Sequence, residues 1–296
     1  MGVLDISVAF PHIGIHFDDL GKSVSVFGLS IAYYGIIIAL GIFAGYFVAQ
    51  LQAKRTGQSA DLYLDFAMYL IIFSILGARA YYVLFSWDYY KDNPIQILNF
   101  RAGGLAIYGG IIAGFITTIV FSKLKKVSFF EMGDTVVAGL AIGQCIGRWG
   151  NFFNREAFGS YTDCLFAMQL KTTEVSQTVL KNNPEYLEHL VTIGDQKYIQ
   201  VHPTFLYESV GCLIIALFVL AHTGFKKRHG QLMGIYFIGY GLLRFFIEGM
   251  RTDQLLLWNT SIPVSRLVSL IALTGGIILE IMCFYSIRKD KIKDKE

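Results

Sequence analysis

Charge is scarce in this chain. Only 16% of its 296 residues are Asp, Glu, Lys or Arg, against roughly 25% in a soluble domain. Apolar residues make up 54%, more than one soluble core of this length needs. The composition therefore excludes an ordinary soluble domain and indicates a multi-spanning membrane protein. Cysteine is sparse too. Cys145, Cys164, Cys212 and Cys283 stand apart with no CxxC pair, so no disulfide framework or thiolate metal site is expected. The six histidines show no HxxE ligand spacing, and no metal is expected. No basic patch interleaved with stacking aromatics is present, which excludes nucleic-acid binding. The N-terminus lacks a Lys/Arg-rich start followed by a short apolar core, so no cleaved signal peptide is expected. Ile6 stands where myristoylation of Gly2 would call for Ser or Thr. No internal repeat is evident.

What the chain does have is seven apolar stretches: about 27–51, 66–85, 105–121, 135–146, 205–220, 232–247 and 267–287. Several approach the ~20 residues that span a bilayer as a helix. The third, fourth and sixth are short and must borrow flanking residues. The fold class expected is an all-α polytopic membrane protein with about seven transmembrane helices. It would form one integral-membrane domain over 1–296, with a bundle at 27–287 and a basic tail at 288–296. Residues 1–26 read as an amphipathic or loop-like segment. The polar region 150–203, between spans four and five, reads as an insertion of unassigned fold.

Lys and Arg set the orientation. Lys54 and Arg55 follow span one, Lys123, Lys125 and Lys126 span three, and Lys226, Lys227 and Arg228 span five. The tail adds Arg288, Lys289, Lys291, Lys293 and Lys295. Alternation of seven spans puts all of these on one side, which the positive-inside rule makes the cytoplasm. The N-terminus and region 150–203 then lie outside.

On that topology the polar and ionisable residues collect near the outer helix ends. Tyr34, Arg79, Tyr108, Arg148, Asn151, Asn154, Glu156, Glu208, Tyr240, Arg244, Glu248 and Arg266 fall there, while the inner halves hold little beyond Asp65, Asp134 and Glu280. Charges in lipid are costly and face protein or a wet cavity, so one polar cavity open to the outer leaflet is expected. Tyr240, Arg244 and Glu248, spaced i, i+4, i+8, share a helix face. The latter two are able to pair for insertion. Each arginine alone has a bland role as a snorkelling side chain. Together, arginines at headgroup depth suit a lipid phosphate, because the planar fork binds its oxygens bidentately. Gly103-Gly104 and Gly109-Gly110-x3-Gly114 serve either close helix packing or backbone approach to a substrate near Tyr108. The residue placement favours an outer-leaflet lipid-modifying enzyme over a transporter, which would carry polar groups through the midplane and often inverted repeats, and over a lipid-binding scaffold.

The block Gly147-Arg148-Trp149-Gly150-Asn151-Phe152-Phe153-Asn154-Arg155-Glu156 resembles the signature of the prolipoprotein diacylglyceryl transferases. The resemblance extends from about residue 30 to 270. It takes in Tyr33-Tyr34-Gly35, Gly77-Ala78-Arg79, Gly103-Gly104-Leu105, His202-Pro203-Thr204-Phe205-Leu206-Tyr207-Glu208, and Tyr240 with Arg244 and Glu248. It implies a bacterial inner-membrane enzyme with its N-terminus outside and C-terminus cytoplasmic. Such an enzyme moves the sn-1,2-diacylglyceryl group of phosphatidylglycerol to the lipobox cysteine of a prolipoprotein, the first step of lipoprotein maturation. A thioether forms and glycerol-1-phosphate leaves, with no metal or nucleotide cofactor. The roles it implies fall on Tyr34, Arg148, Asn151, Glu156, Gly159, Arg244 and Glu248, with Arg148 and Arg244 on the headgroup. Arg79 and Asn154 are expected to support them. Two departures stand out. Many members carry a histidine, proposed as the thiol's base, where this chain has Tyr108, and tyrosine with a pKa near 10 is a poor base at neutral pH. Ser265-Arg266 stands where the family often has Ser-Gln.

Overall fold

The computed structural model describes residues 6–100, 103–257 and 260–293; Gly2 and Lys295, named above, lie outside them. In chain order the elements are β1 (Ile6–Phe10), β2 (Ile15–Asp18), β3 (Ser23–Val26), β4 (Leu29–Ala32), α1 (Tyr33–Arg55), α2 (Ala60–Phe85), α3 (Trp87–Tyr90) and α4 (Ile107–Lys125). Then follow α5 (Phe129–Asn154), β5 (Met168–Lys171), α6 (Gln177–Asn182), α7 (Glu185–Glu188), β6 (Val191–Ile193), β7 (Gln196–Val201), α8 (Thr204–His222), α9 (Gln231–Met250) and α10 (Val264–Lys293).

Seven helices are long and apolar enough to cross a membrane: α1, α2, α4, α5, α8, α9 and α10. The chain is a multi-pass membrane protein. The three spans that looked short are 19, 26 and 20 residues long, because each helix continues through polar flanks. The largest extension is in α5. It runs eight residues past Ile146, so Arg148, Asn151 and Asn154 are helical rather than part of the departing loop. The helix stops where Arg155 and Ala157 take φ of 53° and 57°. Arg155 holds that turn, its guanidinium donating to the carbonyls of Phe153 and Leu20 and pairing with Glu174.

The chain forms two compact units. The first joins Met1–Gly45 to Val137–Glu296. Its sheet has the order β2-β1-β5-β7-β6 with antiparallel pairing throughout. The N-terminal segment, expected to be amphipathic or loop-like, thus supplies strands β1 and β2 to the insertion's sheet. Val8 pairs with Leu170 and Ala9 with Gln169. Partners this far apart in sequence leave no local signature. Val8, Phe10, Met168, Leu170, Ile199 and Val201 form the core below the sheet, continuous with Phe152, Phe158, Tyr186 and Phe205. That continuity ties the insertion to the ends of α5 and α8. Burial pushes the Tyr186 hydroxyl pKa up to about 12; the hydroxyl donates to Gly159 O and also hydrogen-bonds the Thr252 hydroxyl. His12 and His16 stand four residues apart but occupy a turn and β2, not one helix face. His12 Nε2 meets Asp163 Oδ1 at 2.8 Å. Helices α9 and α10 pack at small residues, where a Cβ on Gly241 or Gly276 would lie 2.8 Å from a facing carbonyl oxygen.

The second unit is Tyr46–Val136. Here α2 and α4 approach through glycine. A Cβ on Gly77 would fall 2.3 Å from Ala113 Cβ, and one on Gly109 2.4 Å from Gly77 O. The Gly109 run therefore packs helices. Gly103 and Gly104 are different: both have positive φ, at 83° and 74°, and they turn the loop ahead of α4. Ala53, Tyr63, Phe66, Phe121 and Met132 form this unit's core.

Candidate active site

In the first unit, five helices bring polar side chains to one end. Arg148 and Asn151 lie in the last two turns of α5, and Glu208 in the first turn and a half of α8. Arg244 and Glu248 lie in the last two turns of α9. Ser265 is at the start of α10 and Tyr34 at the start of α1. Helix α5 meets α8 through Ser209 Oγ, which donates to Cys145 O at 2.8 Å. The aromatic rings of Trp149, Phe152 and Phe205 pack at 5.0–5.9 Å between centroids. Helix α9 meets α5 where the Tyr236 hydroxyl donates to Gln144 Oε1 at 3.0 Å.

Glu208 is the hub of this cluster. Its Oε1 receives Arg148 Nη2 at 2.7 Å and the Tyr240 hydroxyl at 3.2 Å, and its Oε2 receives Arg244 Nη1 at 3.0 Å. Arg244 Nη2 lies 2.7 Å from Glu248 Oε2 and 3.4 Å from Ser265 Oγ. Side-chain exposure is 2% for Glu208 and Glu248, 13% for Arg244 and 22% for Arg148. Carboxylates buried this deeply persist only when paired. The arginines are the more accessible partners and lie over a buried pair of carboxylates.

A second set of contacts continues from Arg148. Its Nη1 donates to Asn151 Oδ1 at 3.4 Å, and Asn151 Nδ2 donates to Glu156 Oε1 at 3.0 Å. Asn154 Nδ2 reaches the same oxygen at 3.2 Å. The sharp turn after α5 folds Glu156 back over the helix end, its backbone N–H donating to Asn151 O at 3.1 Å. Glu156 is exposed. Tyr34 packs its ring over Gly150, where a Cβ would come within 2.8 Å, and lies within electrostatic reach of both Arg148 and Glu156. Six of the residues expected at the site, Tyr34, Arg148, Asn151, Glu156, Arg244 and Glu248, thus share one network, with Asn154 beside it.

Two of the residues expected at the site lie outside this network. Arg79, in the second unit, spends all five N–H groups on backbone. Nε donates to Ile97 O, Nη1 to Gly103 O and Gly104 O, and Nη2 to Gln96 O and Asn99 O, at 2.6–3.2 Å. The residue is 3% exposed. It is the pin of the 96–104 loop and has no donor left for a phosphate. Gly159 is buried and equally committed. Its N–H donates to His202 O, and a Cβ there would sit 2.8 Å from His202 Cβ and 2.9 Å from Met250 O. It packs between the insertion and α8–α9. Tyr108, half-buried at the start of α4, belongs to the second unit.

Glu208 and Tyr240 join the network without having been expected at the site. The signal for Glu208 was present, a carboxylate in the first turns of an apolar helix. Arg251 lies just beyond α9 and chelates Asp253 with Nε and Nη2 at 2.9 and 2.8 Å. Burial opposes its charge, but the Asp253 carboxylate outweighs it and raises the Arg251 pKa above the ordinary value. Arg266 stacks over the Phe245 ring at 5.3 Å. His202 Nδ1 and Cys164 Sγ both approach the Tyr207 hydroxyl, at 3.3 and 3.5 Å, and burial lowers the His202 pKa. Among the described residues no group of three or more His, Cys, Asp and Glu is arranged to hold a metal ion.

Residues 22–282 match the family model described as prolipoprotein diacylglyceryl transferase. Proteins named phosphatidylglycerol–prolipoprotein diacylglyceryl transferase are similar over most of the chain. One from Finegoldia magna is 44% identical, covering 87% of this chain and 93% of the relative. One from Clostridioides difficile is 38% identical, covering 90% and 95%. One from Staphylococcus haemolyticus is 41% identical, covering 86% and 85%.

Proposed function

The chain belongs to the prolipoprotein diacylglyceryl transferase family, and we propose that it transfers the sn-1,2-diacylglyceryl group of phosphatidylglycerol to the lipobox cysteine thiol of a prolipoprotein. The sulfur forms a bond to the glyceryl carbon, and that carbon's bond to the phosphate oxygen breaks. The electron pair leaves with glycerol-1-phosphate, and the thiol proton passes to a base. The step balances without an oxidant or a nucleotide.

One observation supports this reading above the rest: two arginine forks are held side by side on the shared carboxylate of Glu208. Negative charge grows on the phosphate oxygens as the carbon–oxygen bond breaks. Fixed guanidinium donors in a site of low dielectric stabilise that charge without reorganising. Arg148 and Arg244 bind the phosphate, Glu208 and Glu248 set their spacing, and Asn151 fixes Arg148. Tyr34 borders the glyceryl group. Glu156 is the exposed carboxylate of the network, reachable by a second substrate, and takes the thiol proton. The thiol's ordinary pKa near 8.5 needs only modest lowering, which the two guanidiniums supply.

The enzyme works in the bacterial inner membrane with its N-terminus and the 155–203 insertion outside. The basic ends of α1 and α4 and the 226–228 loop mark the opposite, cytoplasmic side. The cluster occupies one set of helix ends only, which fits a surface enzyme and not a transporter with a midplane site.

The test is transfer of labelled lipid from phosphatidylglycerol to a lipobox peptide by purified protein. Wild type should add the diacylglyceryl mass to the peptide cysteine, and Arg148→Ala should abolish the product. Turnover by Arg148→Ala near that of wild type would refute the phosphate clamp.

A further inference from the structure

The hairpin β3–β4 has no role in the cluster, yet it is joined directly to the helix that carries Tyr34. Its register pairs Val24 with Ile31 and Val26 with Leu29 on one face, and Ser23 with Ala32 and Ser25 with Ser30 on the other. Alternation therefore gives an apolar face and a polar one. The polar face closes on itself, Ser30 Oγ donating to Ser23 Oγ at 3.1 Å. The apolar face is bare. Val26 is 40% exposed, Leu29 63% and Ile31 42%. The two-residue turn is Phe27-Gly28, with φ of 50° and 78°, the pattern of a type I′ hairpin. Phenylalanine is a poor residue for positive φ, and here its side chain is fully exposed at the tip.

Three observations say what covers this face. First, no charged residue occurs from Ser23 to Ala53, so the hairpin and most of α1 form one uncharged run. Second, no linker separates them: β4 ends at Ala32 and α1 begins at Tyr33, whose N–H donates to Lys22 O at 3.0 Å and ties the base of the hairpin to the helix. Third, the surface it continues is already lipid-facing, with Leu40 at 56% and Phe43 at 71% exposure on α1. A four-residue strand reaches about 13 Å, enough to lie along the headgroup–acyl boundary, where interfacial elements bury their apolar face by roughly 5–10 Å. An isolated two-stranded hairpin is marginal in water, and a membrane surface removes that penalty.

We propose that the hairpin Ser23–Ala32 lies in the lipid interface. Phe27 and the Val24, Val26, Leu29, Ile31 face sit among headgroups and upper acyl carbons, beside the helix ends that hold Arg148 and Arg244. The occupant is bilayer lipid, and the interaction does not depend on which reaction the cluster performs.

The experiment places p-benzoylphenylalanine at Phe27, and separately at Leu29 and Ser30, in full-length protein. Each variant is reconstituted in nanodiscs of phosphatidylglycerol and phosphatidylethanolamine, irradiated, and read by mass spectrometry with and without a lipobox peptide. A variant at Phe43 on α1 reports that lipid labelling works. The expected result is peptides carrying one lipid mass at positions 27 and 29, several-fold more than at Ser30, whether or not the peptide is present. Adducts to the lipobox peptide in place of lipid would assign the face to the protein substrate and overturn the proposal. So would adducts only within the protein, or none, while position 43 labels lipid.

Discussion

Glu208→Gln perturbs the cluster at its centre without changing its size. The glutamate accepts on both oxygens: Arg148 and Tyr240 on one, Arg244 on the other. Glutamine offers one acceptor, and its amide NH2 must face a guanidinium, a donor against a donor. One arginine is therefore released whichever way the amide turns. Arg244 keeps Glu248 at 2.7 Å, so Arg148 is the fork that loses its acidic partner. Breaking a fully buried pair costs about 3–5 kcal/mol. Arg148 is 22% exposed and retains Asn151, so part of its charge is rescued by water and the expected stability loss is nearer 2 kcal/mol. The effect on turnover is larger. A displaced donor at a developing oxyanion costs about 10²–10³ in rate, and Arg148 supplies one of the two forks.

Removal of a negative charge beside an anionic lipid should not weaken lipid binding. The expected signature is a fall in kcat of about 10²–10³ with KM for phosphatidylglycerol unchanged or lower. Glu208→Asp, one methylene shorter, is unable to reach both arginines and should fall between. The assay is label transfer at varied lipid, with thermal unfolding in detergent beside it. Wild-type kcat in Glu208→Gln would refute the argument that this carboxylate aligns the clamp. A raised KM with kcat intact would show instead that it contacts the lipid.

Arg79→Lys should unpin the 96–104 loop, because an ammonium has three donors where five are used; a loss of about 3 kcal/mol, faster amide exchange in the loop and an unchanged lipid KM are expected, whereas a raised KM with unchanged exchange would restore Arg79 to the phosphate site. Gly159→Ala inserts a methyl against His202 and Met250 and should cost about 1–3 kcal/mol by overpacking, read as a lower Tm, with any loss of turnover tracking that of folded protein. The sheet of the insertion should weaken as pH falls. Burial depresses the His202 pKa, so its contribution is full above the ordinary histidine value of about 6.5 and is lost as pH drops through the folded value. Protease cutting of the 155–203 region, corrected against a model peptide, should rise over that window in wild type, and His202→Gln should flatten the rise.

The helices were legible because lipid imposes a local rule: a span must be apolar along its own length, whatever it packs against. Their ends were not, since α5 carries Arg148, Asn151 and Asn154 in its last two turns. Hydropathy stops at Ile146, but the backbone continues, because charged groups able to pair inside the protein need not leave the helix. The sheet was hidden for the opposite reason. Strand β1 finds its partner β5 some 160 positions away, and nothing in residues 6–10 alone records that.

The arginines separate the two kinds of information most clearly. Arg148 and Arg244 were expected on the phosphate and Arg79 in support, three cations near helix ends at one depth. What distinguishes them is the acceptor each one meets. Arg79 meets five carbonyls supplied by a loop that two glycines at positive φ fold around it. Neutral acceptors in that number satisfy every donor and leave a closed site. Arg148 and Arg244 meet a shared carboxylate, Glu208, and Arg244 meets a second, Glu248. A cation held by carboxylates can exchange one of them for another anion; a cation whose five donors are enclosed by carbonyls cannot. The distinction lies in Glu208, one residue of a different helix, and a reading that counts cations at a given depth has no access to it.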